Sequence, residues 1–388
     1  MQFEKSDRLK KLPPYLFVEI DKAKKKARDE GCDIIDLGIG DPDMPTPAFV
    51  IKALSKAVKD PSTHRYSLDQ GMPEFRYAAA KWLKKRFGVD FNPEGEIYPL
   101  IGSKEGIAHI PLAFINPGEA VLVPDPCYPP YRSGTIFAGG EIIYMPLSEK
   151  NKFLPDLKAI NHHLLHKARM IFINYPNNPT AAICDKKFLR DVVNFAKRHN
   201  LIVCSDAAYS EITFDGYTAP SIFEAEGAKD VAIEFHSLSK TFNMTGWRIG
   251  FACGNASIIE GLANIKSNID SGIFSAIQRA GITALDNYDK HIKSVIKIYE
   301  ERRDILVQGL NAMGLYVENP KATFYVWVKV PPRYTSATFA KALLERCDIV
   351  ATPGNGFGEH GEGYIRMAAT VDKKRIKEAV DRIKKRLA

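Results

Sequence analysis

The sequence predicts an α/β protein built on a mostly parallel sheet, and three observations carry that expectation. Short apolar runs alternate with longer amphipathic ones through the middle of the chain. The apolar runs are continuous rather than alternating, which suits strands buried on both faces with crossover helices between them. At 388 residues the chain is long enough for a large core and for two domains.

Taken in order, "PEFRYAAAKWLKKRF" (73–87) predicts a helix, with Phe75, Ala79 and Trp82 near one face and the lysines on the other. "EAVLVPDP" (119–126) reads as a strand ended by prolines, and "GGEIIYMPL" (139–147) as another. "ARMIFINYPNNP" (168–179) is a strand running into a turn, and "KKFLRDVVNFAKRHN" (186–200) a helix closing on Asn200. "LIVCSDAAY" (201–209), "DVAIEFHS" (230–237) and "RIGFACG" (248–254) follow as strands. A long helix, "DKHIKSVIKIYEERRDILVQGLNAMG" (289–314), leaves this unit. "ATFYVWVKV" (322–330), "SATFAKALLERC" (336–347) and the terminal "KKRIKEAVDRIKKRLA" (373–388) make a smaller α+β unit, with the N-terminal arm packing near it. No Gly/Ser-rich linker separates the two, so intimate domains with a cleft between them are expected.

Composition narrows the class. Hydrophobic content of 45% and charged content of 26% are those of a soluble globular protein. No apolar run reaches the roughly 18 residues of a membrane span, and "MQFEKSDRLKKLPPYLF" lacks the pattern of a secretory signal. The six cysteines (32, 127, 184, 204, 253, 347) form no CxxC pair and read as reduced thiols of a cytoplasmic protein. The net charge of +8 is concentrated in runs that also carry acids and apolar residues at helical spacing. These are solvated helix faces rather than a nucleic-acid surface. "HHLLH" (162–166) lacks a carboxylate partner at useful spacing, so no metal is expected there.

The chemistry gathers just after the strands, where ligands sit in open α/β sheets. "IGSKEGI" (101–107) offers backbone N–H groups, a hydroxyl and a cation at a helix start, which is an anion seat. Ser237, Ser239 and Arg248 in "SLSKTFNMTGWRIGF" (237–251) add two hydroxyls and a guanidinium, a donor set suited to a phosphate dianion. Taken singly, Ser103 and Ser237 are equally well explained as helix or turn caps. Neither a Walker A loop nor a complete dinucleotide fingerprint is present; "GIGDPD" (38–43) lacks the third glycine. Asp206 ends an apolar strand and needs a cationic or N–H partner. Tyr209 lies three residues on, Asn178 presents an amide from the "PNNPT" turn, and Tyr128 stands in a proline-rich loop where it can stack on a ring. For each of these a capping, turn or packing role is the plainer alternative. Together with Lys240, however, they describe pyridoxal 5′-phosphate, which needs a lysine, an acid partner for its ring nitrogen and a phosphate seat.

"SLSKTFNMTGWRIGF", "PNNPT", "DAAY", "GSKEGI", "YSLDQGMPEFR" and "LGIGDPDMPTP" occur in this order and resemble the motifs of the class I/II aminotransferases of fold type I. "LPPYLFVEID", "IGSKEGIAHIPLAFINPGE" and "PGNGFGEHGEGYIR" resemble more narrowly the branch of that family acting on LL-diaminopimelate in lysine biosynthesis. The resemblance implies a seven-stranded, mostly parallel sheet in a large domain, 45–288, and a smaller α+β domain made of 1–44 and 289–388. It implies that Lys240 holds the cofactor covalently and moves the substrate α-proton. Asp206 then matches the partner of the ring nitrogen, Tyr209 and Asn178 the contacts to the 3-oxygen, and Tyr128 the stacking ring. Ser103, Lys104, Ser237, Ser239 and Arg248 match the phosphate contacts. Tyr66 matches a tyrosine that reaches the phosphate in a neighbouring subunit, so a homodimer is implied. Arg366 matches the clamp on the substrate α-carboxylate; Gly40, Tyr15, Lys104, Tyr128 and Asn178 complete the substrate-binding set.

Two departures stand out. Ala181 replaces the glycine of many relatives, which is compatible only with a negative φ. Asp41 replaces a common glutamate and is expected not to touch the chemistry. Other readings on the same fold are an alanine, aspartate or aromatic aminotransferase, or a C–S β-lyase. A basic nucleic-acid-binding protein is the reading from a different class.

Overall fold

The computed structural model describes residues 3–13, 16–67 and 69–387. The strands in chain order are β1 (Ile35–Asp36), β2 (Ile97–Leu100), β3 (Ala120–Asp125), β4 (Glu141–Pro146), β5 (Ala168–Asn174), β6 (Ile202–Asp206), β7 (Ala232–Ser237), β8 (Gly250–Gly254), β9 (Tyr325–Lys329), β10 (Ile349–Val350), β11 (Thr352–Pro353) and β12 (Tyr364–Ala368). Seven of them form one sheet in the order β2-β8-β7-β6-β5-β3-β4. β7, β6, β5, β3 and β4 run parallel; β8 is antiparallel to both neighbours. A three-stranded sheet, β11-β12-β9, is antiparallel, and β1 pairs in parallel with β10.

The continuous apolar character of the central strands follows from burial on both faces. In β5, Ile171 and Ile173 pack into one cluster with Phe75, Trp82, Val192 and Val203, while Met170 and Phe172 pack into another with Val121, Ile233 and Ile259. The helices Pro73–Phe87, Ser103–Phe114, Lys186–His199 and Ala256–Ser267 supply the covering layers. Lys186–His199 begins where the Asp185 carboxylate accepts from the Phe188 N–H at 2.8 Å and ends on Asn200 in the left-handed region.

The 25-residue helix Tyr288–Ala312 runs from the large sheet to a separate cluster. There Leu306 and Leu310 pack with Ile35, Leu37, Val326, Val328, Phe339 and Ile376. A fourth cluster joins the two sheets: Ala181, Tyr209 and Phe214 meet Tyr299, Phe324, Tyr325 and Ala368. The edge strand β2 and the helices Ala48–Ala57 and Ser275–Asp286 have no counterpart in the expectations from sequence. No helix among the described residues is long and apolar enough to cross a membrane.

Candidate active site

The topology puts the suspected residues along one edge of the large sheet. β3, β5, β6 and β7 share a direction, so their carboxyl ends lie together, and the loops to Tyr128, Asn178, Tyr209 and Lys240 all start there. β8 runs the other way, so its amino end, just after Arg248, lies at the same edge; β2 ends there too, at the turn before Ser103.

Lys240 sits in the one-turn helix Leu238–Thr241, whose N-cap Ser237 accepts from the Ser239 N–H at 3.2 Å. The Lys240 Nζ donates to the carbonyl of Gly40 at 3.0 Å. Burial, joined by the Arg366 and Arg248 guanidiniums, pulls its ammonium down to about 8, while Asp41 and Asp206 act in the opposite direction. Asp41 is thus felt at Lys240, contrary to the expectation that it stands apart from the chemistry.

Asp206 is buried at the end of β6. Its Oδ2 accepts from the Tyr131 hydroxyl at 2.6 Å, and its Oδ1 from the Ala208 N–H at 3.2 Å. Burial pushes the carboxyl up to about 6 against those two hydrogen bonds, which favour the charged form. Tyr131 itself is fully buried, stacked on Phe172 with centroids 4.8 Å apart, and edge-on to the half-buried Tyr128 at 5.8 Å.

The turn after β5 is held from within. Asn174 accepts from the Asn178 N–H at 2.8 Å and donates to the Asp206 carbonyl at 2.8 Å. Asn177 accepts from the Thr180 N–H and hydroxyl at 2.9 and 2.7 Å. Ala181 follows with φ of 58°. The negative φ that an alanine prefers here is not what the turn adopts, because the Ala181 N–H donates to the Asn177 carbonyl at 3.0 Å and closes the loop.

Arg366, in the middle of β12, is buried against two rings: its Cζ lies 4.2 Å from the Tyr325 centroid and 4.7 Å from that of Phe357. Nη1 donates to Asn178 Oδ1 at 2.8 Å and Nη2 to the Gly38 carbonyl at 2.7 Å, while Nε is buried and has no partner among the described residues. The segment 38–40 is tied down carbonyl by carbonyl. Gly38 accepts from Arg366 and from Thr352 at 2.8 Å, Ile39 from Thr370 at 2.8 Å, and Gly40 from Lys240. Gly40 has to be glycine, since a β-carbon there would fall 2.0 Å from the Tyr325 hydroxyl. Tyr325 in turn lies 2.8 Å, oxygen to oxygen, from Tyr209.

The anion seat forms where helix Ser103–Phe114 begins. Its N-cap, Gly102, has φ of 76° and no side-chain cap; a β-carbon there would fall 2.3 Å from Nη2 of Arg248. Arg248 also donates to the Thr245 and Ile101 carbonyls at 2.8 and 3.4 Å. Ser237 is paired across the sheet with Gly250, which packs against the Ser103 N–H. Ser103, Ser237, Ser239 and Arg248 thus lie around one spot, with Lys104 exposed beside it.

Tyr66 is 92% exposed, and Tyr15 lies outside the described residues. "HHLLH" gives a one-turn helix with His162 6.3 Å from the His199 ring. Two other groups of potential metal ligands are already taken by protein donors. Glu234 accepts from Ser205, Ser221 and the Ile222 N–H beside His236, and Lys266 lies against both Glu105 and Asp270.

Comparison with known proteins places the whole chain. Residues 32–383 match the family "Aminotransferase class I and II". The LL-diaminopimelate aminotransferase of Moorella thermoacetica is 55% identical over 98% of this chain and 98% of its own length. The protein of the same name from Syntrophobacter fumaroxidans is 55% identical over 99% of both. Among solved structures, substrate-bound BacF of Bacillus subtilis superposes with a TM-score of 0.95 at 40% identity, covering 99% of this chain and 98% of that one. The chain belongs to the class I and II aminotransferase family.

Proposed function

We propose that the protein transfers an amino group from LL-2,6-diaminopimelate to 2-oxoglutarate with pyridoxal 5′-phosphate as cofactor. The products are glutamate and an oxo acid that closes, with loss of water, to tetrahydrodipicolinate. The reaction is reversible and belongs to lysine biosynthesis. The observation that carries the reading is Lys240, which burial pulls down to about 8 and which donates to the Gly40 carbonyl, two residues from the Gly38 carbonyl that takes the Arg366 guanidinium. The substrate follows from relatives 51–55% identical over nearly the full chain that carry this activity in their names.

Members of the class I and II family generally use pyridoxal phosphate, and three features here suit it. Among the described residues no cationic side chain contacts the buried Asp206 carboxylate, where a protonated ring nitrogen would meet it. The helix start at Ser103 is uncapped, with an arginine and two serines around it. The buried Nε of Arg366 has no partner among the described residues, and a substrate carboxylate would supply one. When bound, the cofactor supplies an electrophilic carbonyl for the amino group and a cationic ring that takes up the electron pair left by the departing α-proton.

The residues divide the remaining work. Lys240 would hold the cofactor, and its Nζ, once free, would take and return the α-proton. Arg366 grips the α-carboxylate beside Gly40, orienting the α-C–H bond toward Nζ. Asn178 and Tyr209 would donate to the 3-oxygen, and Tyr128 would cover the ring. Ser103, Lys104, Ser237, Ser239 and Arg248 would take the phosphate. The exposed Tyr66 serves the phosphate of a second copy, making the working unit a cytoplasmic homodimer. Residues 45–288 form the large domain and 1–44 with 289–388 the small one, with the substrate between them.

The deciding experiment supplies LL-diaminopimelate and 2-oxoglutarate to the cofactor-loaded protein and measures glutamate. Alanine, aspartate and phenylalanine are run in parallel, with pyruvate release from cystathionine as the lyase readout. Turnover of one of these without turnover of LL-diaminopimelate would sink the substrate assignment.

A further inference from the structure

Tyr325 belongs to none of the motifs that mark the site, yet its buried side chain meets three site residues. Its hydroxyl lies 2.8 Å from that of Tyr209. Its ring supports the Arg366 guanidinium at 4.2 Å. Its hydroxyl also occupies the space beside Gly40 that a β-carbon would need. We propose that Tyr325 is a positioning residue that couples the cofactor's 3-oxygen to the carboxylate clamp. Its hydroxyl donates to Tyr209, aiming the Tyr209 proton at the 3-oxygen, and its ring holds Arg366 in plane. The inference rests on the cofactor and clamp assignments made under Proposed function.

The direction of the hydrogen bond follows from proton counting. A phenol carries one donor. Between Tyr209 and Tyr325 either oxygen can donate when the pair is considered alone. Once Tyr209 gives its only proton to the acceptor 3-oxygen, it can only accept from its neighbour, so Tyr325 must donate. Burial holds the Tyr209 phenol well above its usual value, so that proton is retained across the working pH range. A donor behind a donor polarises it and strengthens the bond it makes.

The ring's role follows from sheet register. β9 and β12 are antiparallel with Arg366 opposite Trp327 and Ala368 opposite Tyr325, so Tyr325 and Arg366 are diagonal neighbours on one face. Phe357 also lies against the guanidinium, its ring centroid 4.7 Å from Cζ. Held against two rings, the planar cation keeps Nη1 on Asn178 and Nη2 on Gly38. One side chain thus touches both the residue that binds the ring's oxygen and the residue that binds the substrate's carboxylate.

Two variants separate the two roles. Tyr325→Phe removes the hydroxyl and keeps the ring; Tyr325→Leu removes both. The readouts are the affinity of the cofactor-free protein for pyridoxal phosphate and the pH midpoint of the bound cofactor's visible absorbance. The affinity for glutarate, a carboxylate with no amino or oxo group to react, is measured alongside. Tyr325→Phe is expected to bind the cofactor several-fold more weakly and to raise the midpoint by roughly half a unit, since a weaker donor stabilises the 3-oxygen anion less. Its glutarate affinity and KM stay near wild type while kcat falls. Tyr325→Leu adds about a tenfold loss of glutarate affinity and a matching rise in KM. A Phe variant with wild-type midpoint and cofactor affinity overturns the inference, whether or not the Leu variant folds. A Leu variant that folds and keeps wild-type glutarate affinity overturns the role of the ring. A wild-type protein that takes up no cofactor overturns the underlying reading as well.

Discussion

Arg366 and Asn178 meet at 2.8 Å, Nη1 to Oδ1, joining the three-stranded sheet to the turn after β5. Arginine only donates, so the amide of Asn178 must present its oxygen to the guanidinium and its NH₂ elsewhere, free to face a bound ring. Arg366→Lys keeps the charge but cannot hold Asn178, Gly38 and a carboxylate at once. Loss of charge-assisted hydrogen bonds on the order of 1.5–3 kcal/mol predicts KM rising about 10- to 100-fold for the amino donor and the oxo acceptor together. Steady-state kinetics with both substrates varied checks this; an unchanged KM would remove Arg366 from the clamp.

The Lys240 ammonium sits at about 8 in the folded chain against an ordinary 10.5. Between those values the unfolded chain holds a proton the folded one has released, so stability rises with pH through that window. Below it the charged amine costs the cofactor-free protein on the order of 1–3 kcal/mol. Lys240→Met is therefore expected to abolish turnover while making the cofactor-free protein more stable at pH 7, with the gap closing by about pH 10. Urea unfolding at the two pH values measures it.

Asp206 shows the opposite case, a carboxyl raised from 3.8 to about 6. Here the folded chain keeps a proton that the unfolded chain loses, so the cofactor-free protein loses stability as pH rises from about 4 to 6. Asp206→Asn flattens that decline. Tyr131→Phe removes the hydrogen bond that favours the charged carboxylate and moves the decline to higher pH. Unfolding followed from pH 4 to 8 distinguishes the three proteins.

Ala181 holds a left-handed backbone at φ of 58° inside the cluster between the two sheets. The strain, on the order of 1 kcal/mol, is only partly offset by burial of its methyl group. Ala181→Gly should raise the thermal midpoint by a degree or two and leave turnover intact, because Asn174 and Asn177 hold the turn independently. A marked fall in the midpoint would show that the methyl contact outweighs the strain.

The parts of this molecule legible in its sequence are those whose cause is local. Val121, Ile171, Val203 and Ile233 lie in runs that announce buried strands, and the motifs carrying Ser103, Asn178, Asp206 and Lys240 each follow such a run. β2 escaped notice because "IYPL" is four residues long, contains a proline and owes its pairing to β8, some 150 residues on. Tyr131 and Tyr325 escaped for the same reason. Their partners Asp206 and Tyr209 lie 75 and 116 residues away, and in "PPYR" or "FYVWV" a tyrosine looks like any core aromatic. The influence of Asp41 on Lys240 is a matter of proximity alone, which no spacing in the chain records.

The short segment from Gly38 to Gly40 can be seen as a measuring rod. One end is pinned to Arg366 and the other to Lys240, and two residues of chain span at most about 7 Å. The separation between the group that grips a carboxylate and the group that handles the neighbouring carbon is therefore written in the length of the main chain. Inserting a single residue between Gly38 and Gly40 would change no side chain of the site and still set Lys240 and Arg366 at the wrong separation for an α-amino acid.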